Sequence, residues 1–193
     1  MKGGGSVFEV LNPKSGKFGF RNYAVFVLSF FVVWVVIGHI FTVYYVIPNY
    51  GLEDAGEKAT EFLSVETERF DSFKTALLIF LNNVRVGVFI FLLSCVPVLS
   101  LAVFLINALI IGVVVPVVGM MTGVSPFILY FFIVPHGVFE IGAMVISGYA
   151  GILFFKVDRR EGLKYFFLAV VFFFIASLIE TFVSYRLLVA LVG

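Results

Sequence analysis

Between Thr75 and Val118 the chain runs for 44 residues with one charged side chain, Arg85. About 20 apolar residues suffice to cross the hydrocarbon of a bilayer, so this stretch holds two crossings. Pro97 sits at its midpoint in "SCVPVLS". Proline has no N–H and clashes with the preceding turn, so the two crossings form a tight hairpin turning at Pro97. Three more apolar runs, at about 23–47, 127–155 and 165–190, join those at 75–96 and 98–118 to give five spans. Composition points the same way. Of 193 residues 62% are hydrophobic and 13% charged, too little polar surface to cover a soluble domain. The sequence therefore predicts an all-α fold: a polytopic membrane helix bundle of five transmembrane helices, with residues 23–193 as a single transmembrane domain.

Charge orients the bundle. Residues 1–22 carry Lys2, Lys14, Lys17 and Arg21 against Glu9, and "KVDRREGLK" supplies Lys156, Arg159, Arg160 and Lys164. With five spans these two segments share a side, together with the Pro97 turn. The acidic stretch 48–75 falls on the other side. The positive-inside rule then makes 1–22 a basic cytoplasmic N-terminus and puts the C-terminus outside, in a multi-pass protein of the cell membrane. Within 48–75, Phe62, Val65, Phe70 and Phe73 recur at roughly helical spacing, which predicts a short extracytoplasmic amphipathic helix between spans 1 and 2. That charged segment serves either as solvated surface or as a docking site for a partner. The first apolar run lacks a small-residue cleavage site and reads as a span, with no cleavable signal peptide. A formal net charge of +1 gives no electrostatic footprint for nucleic acid. The single cysteine, Cys95, has no intrachain disulfide partner and reads as a buried thiol.

Against this apolar background the spans contain His39, Asn82, Asn83, Arg85, Asn107, His136, Glu140 and Glu180. A charge at a span centre costs about 2.5–3.5 kcal/mol on insertion scales, so such residues need partners. At about 1.5 Å rise per residue, His39, Asn82, Arg85, His136, Glu140 and Glu180 come to similar depth in the outer half of the bilayer. His136, Glu140, Ala143 and Ser147 follow 4-3-4 spacing on span 4; Ser177, Glu180 and Ser184 follow 3-4 spacing on span 5; Asn82 and Arg85 share a face of span 2. These stripes are expected to turn inward, to a polar centre of Asn82, Asn83, Arg85, His136, Glu140 and Glu180. Gly137, Gly142, Gly148 and Gly151 are expected to let span 4 approach its neighbours. Pro135 predicts a kink in span 4, or a break at which a new half-helix begins.

"NNV" in an early span, "PHGVFE" in the penultimate one and "LIE" in the last resemble the stage II sporulation protein M family, from about residue 20 to the C-terminus. The resemblance implies an integral membrane protein, usually of five spans, and carries Asn82, Asn83, Pro135, His136, Gly137, Glu140 and Glu180 over as motif residues. It further implies a membrane-complex component or scaffold, since a member of that family anchors a peptidoglycan-remodelling complex in sporulating bacteria.

The residues themselves admit several chemistries. His136 and Glu140, one turn apart, present two ligands to one divalent metal, and Glu180 with His39 would complete the mixed N/O shell typical of zinc. Alternatively the centre is a structural network in which Arg85 neutralises an acid and the asparagines satisfy the rest. His39 and Asn107 also have simpler uses, as an interfacial packing residue and as interhelical glue. A carboxylate and histidine relay for ions or small solutes is the runner-up, with a homodimer supplying the symmetry that five spans lack. An intramembrane metallohydrolase with Glu140 as general base is a further alternative, although neither H-E-x-x-H nor G-x-S-x-G occurs. The partners expected are the lipid bilayer, membrane-complex proteins and a second copy of the chain.

Overall fold

The computed structural model describes residues 19–50, 73–184 and 186–187. The basic segment up to residue 18, most of the amphipathic helix expected in 48–75, and the last residues of the fifth span lie outside the described residues. Phe73 itself opens a long helix rather than closing the polar segment.

Among the described residues five helices are long and apolar enough to cross a membrane. The first begins as α1 (Phe20–Phe41), passes through a π-helical turn at Thr42–Val46 and ends as the short α2 (Ile47–Tyr50). The others are α3 (Phe73–Leu93), α4 (Pro97–Thr122), α5 (Pro126–Lys156) and α6 (Arg159–Ile179), the last continued by a π turn at Glu180–Ser184.

Local chemistry sets the ends. Ser94 Oγ donates to the Ile90 carbonyl at the close of α3, and Pro97 starts α4 at a position where a missing N–H costs nothing. Gly123, at φ 69°, ends α4 in the left-handed conformation, and Pro126 starts α5. Asp158 caps α6, its carboxylate accepting from the backbone N–H groups of Arg160 at 2.7 Å and Glu161 at 3.3 Å. Cys95 lies in the turn between α3 and α4 and is exposed, which corrects the expectation of a buried thiol. Its apolar sequence neighbours include the exposed Val96, Val98 and Leu99 as well as core residues.

α5 is the central helix and packs on α1, α3, α4 and α6. Every residue from Ala143 to Leu153 is buried, around the whole circumference of the helix. Small residues permit this. Gly148 faces the ring of Tyr23 and the side chain of Ile90, and Gly151 faces the backbone of Phe91. Between chains of similar apolarity, close backbone approach and van der Waals contact replace the hydrophobic drive available in water. The same device joins α1 to α4, where a Cβ on Gly112 would stand 2.5 Å from the Val35 carbonyl oxygen and 3.0 Å from Gly38 Cα. Gly137 and Gly142 behave differently: at Gly137 a Cβ would meet only Ile133, one turn back, and at Gly142 only ordinary contact with Phe172. The expected close approach thus belongs to the second half of α5. Nor does the helix break at Pro135; it runs unbroken from Pro126 to Lys156, so no new half-helix begins there.

Candidate functional site

The first half of α5 is packed less completely, and the space left over is a partly open cavity of about 410 Å³. Its walls come from α1 (Phe31), α4 (including Asn107, Ile110 and Val114), α5 (Leu129 to Met144) and the π turn after α6. Most of the lining is apolar. The polar groups in it are Asn107, His136, Glu140, Glu180 and Ser184.

His136 and Glu140 reach the cavity together because they lie one turn apart on one face of α5. The same face continues to Ser147, but there it meets α3: Ser147 is fully buried, and its Oγ would stand 3.1 Å from a Cβ on Gly87. One stripe therefore serves two purposes, a cavity wall in its first half and a close helix contact in its second. On the last span, Glu180 and Ser184 line the cavity, whereas Ser177 is buried and donates to the Phe174 carbonyl of its own helix at 2.8 Å. Glu180 and Ser184 are the two ends of the π turn. A π turn closes i→i+5 hydrogen bonds and is wider than an α turn; such bulges occur frequently at functional sites. Across the helix interface His136 Nδ1 and Ser184 Oγ lie 2.8 Å apart, a hydrogen bond tying α5 to this turn. Glu140 and Glu180 both line this cavity, one from α5 and the other from the π turn.

The remaining polar residues go elsewhere. Asn82 and Arg85 are exposed, which corrects the expectation that they turn inward. The buried face of α3 is Ala76, Asn83, Gly87, Ile90 and Phe91, chosen by the close fit of Gly87 against Phe173 and Ser147. Asn82 and Arg85 are on the other side of the helix, among exposed Leu78, Leu81, Phe89 and Leu92. The Arg85 guanidinium lies over the Phe89 ring, 5.8 Å from its centroid, and does not neutralise Glu140 or Glu180. Asn83 is buried but does not line the cavity, and among the described residues its Nδ2 has no hydrogen-bond partner. His39 does not join the acids either: its Nδ1 lies 3.2 Å from the Tyr130 hydroxyl, with Phe127 beside the ring.

Asn107 is a lining residue that the sequence reading set aside. Its Nδ2 donates to Val103 of its own helix at 2.8 Å rather than across to another. Its depth was the available signal: about 22 Å from the end of α4 at Thr122, against about 21 Å for Glu140 from Pro126. Among the described residues no group of three or more His, Cys, Asp or Glu side chains is placed to hold a metal ion.

The sequence model of stage II sporulation protein M matches residues 24–185, which includes every helix that builds the cavity. The chain belongs to the stage II sporulation protein M family. Membership and the five apolar helices together make it a multi-pass membrane protein of that family. No curated protein and no solved structure matches it.

Proposed function

We propose that this member of the stage II sporulation protein M family is a membrane-complex component whose intramembrane cavity receives a positively charged group from another transmembrane segment. One observation carries the reading. Glu140 and Glu180 line the same cavity, and among the described residues neither has a cation within ion-pair distance. Two carboxylates in a mostly apolar recess are costly unless neutralised, and ionisable groups inside a span mark function by default. The apolar walls suit a helix side chain with an aliphatic stem and a charged head. The basic N-terminus is placed on the cytoplasmic side and the C-terminus outside, from the distribution of Lys and Arg.

Solubilised membranes test this. The native chain, of 21.5 kDa, is expected to migrate in a larger assembly, and the Glu140→Gln/Glu180→Gln variant to leave it while remaining folded. Migration of the native protein as a single chain, or an unchanged assembly of the variant, would overturn the reading. A second reading, passage of a small cation, is favoured by the unfilled volume beside the two acids. Cation-dependent flux through the purified protein in liposomes, lost in the same variant, would select it.

A further inference from the structure

Arg85 is out of place in a membrane bundle. Apart from residues in the first two turns or the last turn of a helix, it is the only Arg or Lys within the described spans, twelve residues in from Phe73 and eight from Leu93. It is exposed on a face otherwise made of Leu78, Leu81, Phe89 and Leu92, and among the described residues it has no acid within ion-pair distance. Charged side chains in spans turn to a partner or a polar cavity, and a guanidinium left facing acyl chains is expensive. No residue of α3 lines the acidic cavity, so the arginine does not serve the acids of its own chain.

Resting on the reading of the cavity given above, we infer that the charged group it receives is Arg85 of a second copy of this chain. Three features fit. The charges are complementary: one copy offers on its outer face a guanidinium, the other in an open recess two carboxylates, none of them in an ion pair among the described residues. The depths agree. Copies inserted in the same orientation hold Arg85 about 18 Å from the Phe73 end and Glu140 about 21 Å from the Pro126 end, and alternating helices place those two ends on one side of the bundle. The surroundings also match, since around Arg85 α3 brings a largely apolar face and much of the cavity wall is Ile110, Val114 and Ile133. Asn82, on the same face as Arg85, adds a donor and an acceptor at the joint.

Complementation tests the contact without depending on any one variant. The purified full chain is placed in lipid nanodiscs large enough for two copies, with donor and acceptor dyes on separate populations. The native protein is expected to show energy transfer between copies. Arg85→Gln alone and Glu140→Gln/Glu180→Gln alone are each expected to lower self-association at least about tenfold. A mixture of the two variants is expected to recover it, because one supplies the acids and the other the arginine. A monomeric native protein, or a mixture no better than either variant, overturns the inference. If the purified chain is monomeric while the native protein in membranes still depends on its acids for a larger assembly, this inference fails and the broader reading of the cavity stands.

Discussion

Replacing Gly112 by alanine separates close backbone packing from general apolarity as the force holding α1 on α4. The added methyl would sit 2.5 Å from the Val35 carbonyl oxygen, 3.0 Å from Gly38 Cα and 3.1 Å from the His39 nitrogen. All three are backbone atoms of a neighbouring helix, so no side-chain rotation relieves them. Carbon atoms rest at about 3.5–4.0 Å, so the helices must separate by roughly 0.5–1 Å along this contact, and the surrounding side chains lose part of their dispersion energy. Overpacking of this kind costs about 1–3 kcal/mol. Gly137→Ala is the control. Its methyl meets only Ile133 of its own helix at 3.4 Å, beside a cavity with room to relax. Alanine also favours helix over glycine by up to about 1 kcal/mol, so this variant should be neutral or slightly more stable. Reversible unfolding in mixed micelles, followed by circular dichroism, measures both. Equal stability of the two variants would refute the claim that Gly38 and Gly112 set the helix separation.

Three further outcomes follow from single contacts. Ser184→Ala removes the partner of His136 and should lower stability by about 0.5–1.5 kcal/mol in the same unfolding assay, with Ser177→Ala smaller because that hydroxyl bonds only within its own helix. Asp158→Ala uncaps α6 and should cost about 0.5–2 kcal/mol, recovered by Asp158→Asn. Cys95 is exposed in the α3–α4 turn, so a membrane-impermeant maleimide should leave it unlabelled in intact cells and label it in inverted vesicles. The opposite pattern would reverse the proposed orientation.

What the sequence makes legible here is length and interruption. Apolar runs long enough to cross hydrocarbon identify five helices, and Pro97 marks a turn, because both signals are local. Which way each helix faces is not local. On α3 the polar pair Asn82 and Arg85 marks the outer face and not the core, and α4 is apolar around most of its circumference, so the choice falls to shape. Gly87 decides it for α3 by admitting Phe173 and Ser147, which buries Asn83 and turns Asn82 and Arg85 outward. Spacing alone placed His136 beside Glu140, since one turn of one helix fixes that pair. It did not show that Ala143 and Ser147, on the same stripe, meet a neighbouring helix instead of the cavity. The π turn at Glu180–Ser184 was equally invisible, because the segment ETFVS contains no Gly or Pro to mark it.

The convergence of α5 and the π turn on one cavity is tested most directly by cysteine pairing in a Cys95→Ala background. His136→Cys with Ser184→Cys replaces two side chains whose polar atoms lie 2.8 Å apart, and mild oxidation should join them within a single chain, as read by mass spectrometry of protease digests. Arg85→Cys with Ser184→Cys should form no bond within a chain, because Arg85 lies on the outer face of α3. Failure of the first pair to cross-link, or intrachain bonding of the second, would contradict the cavity described here.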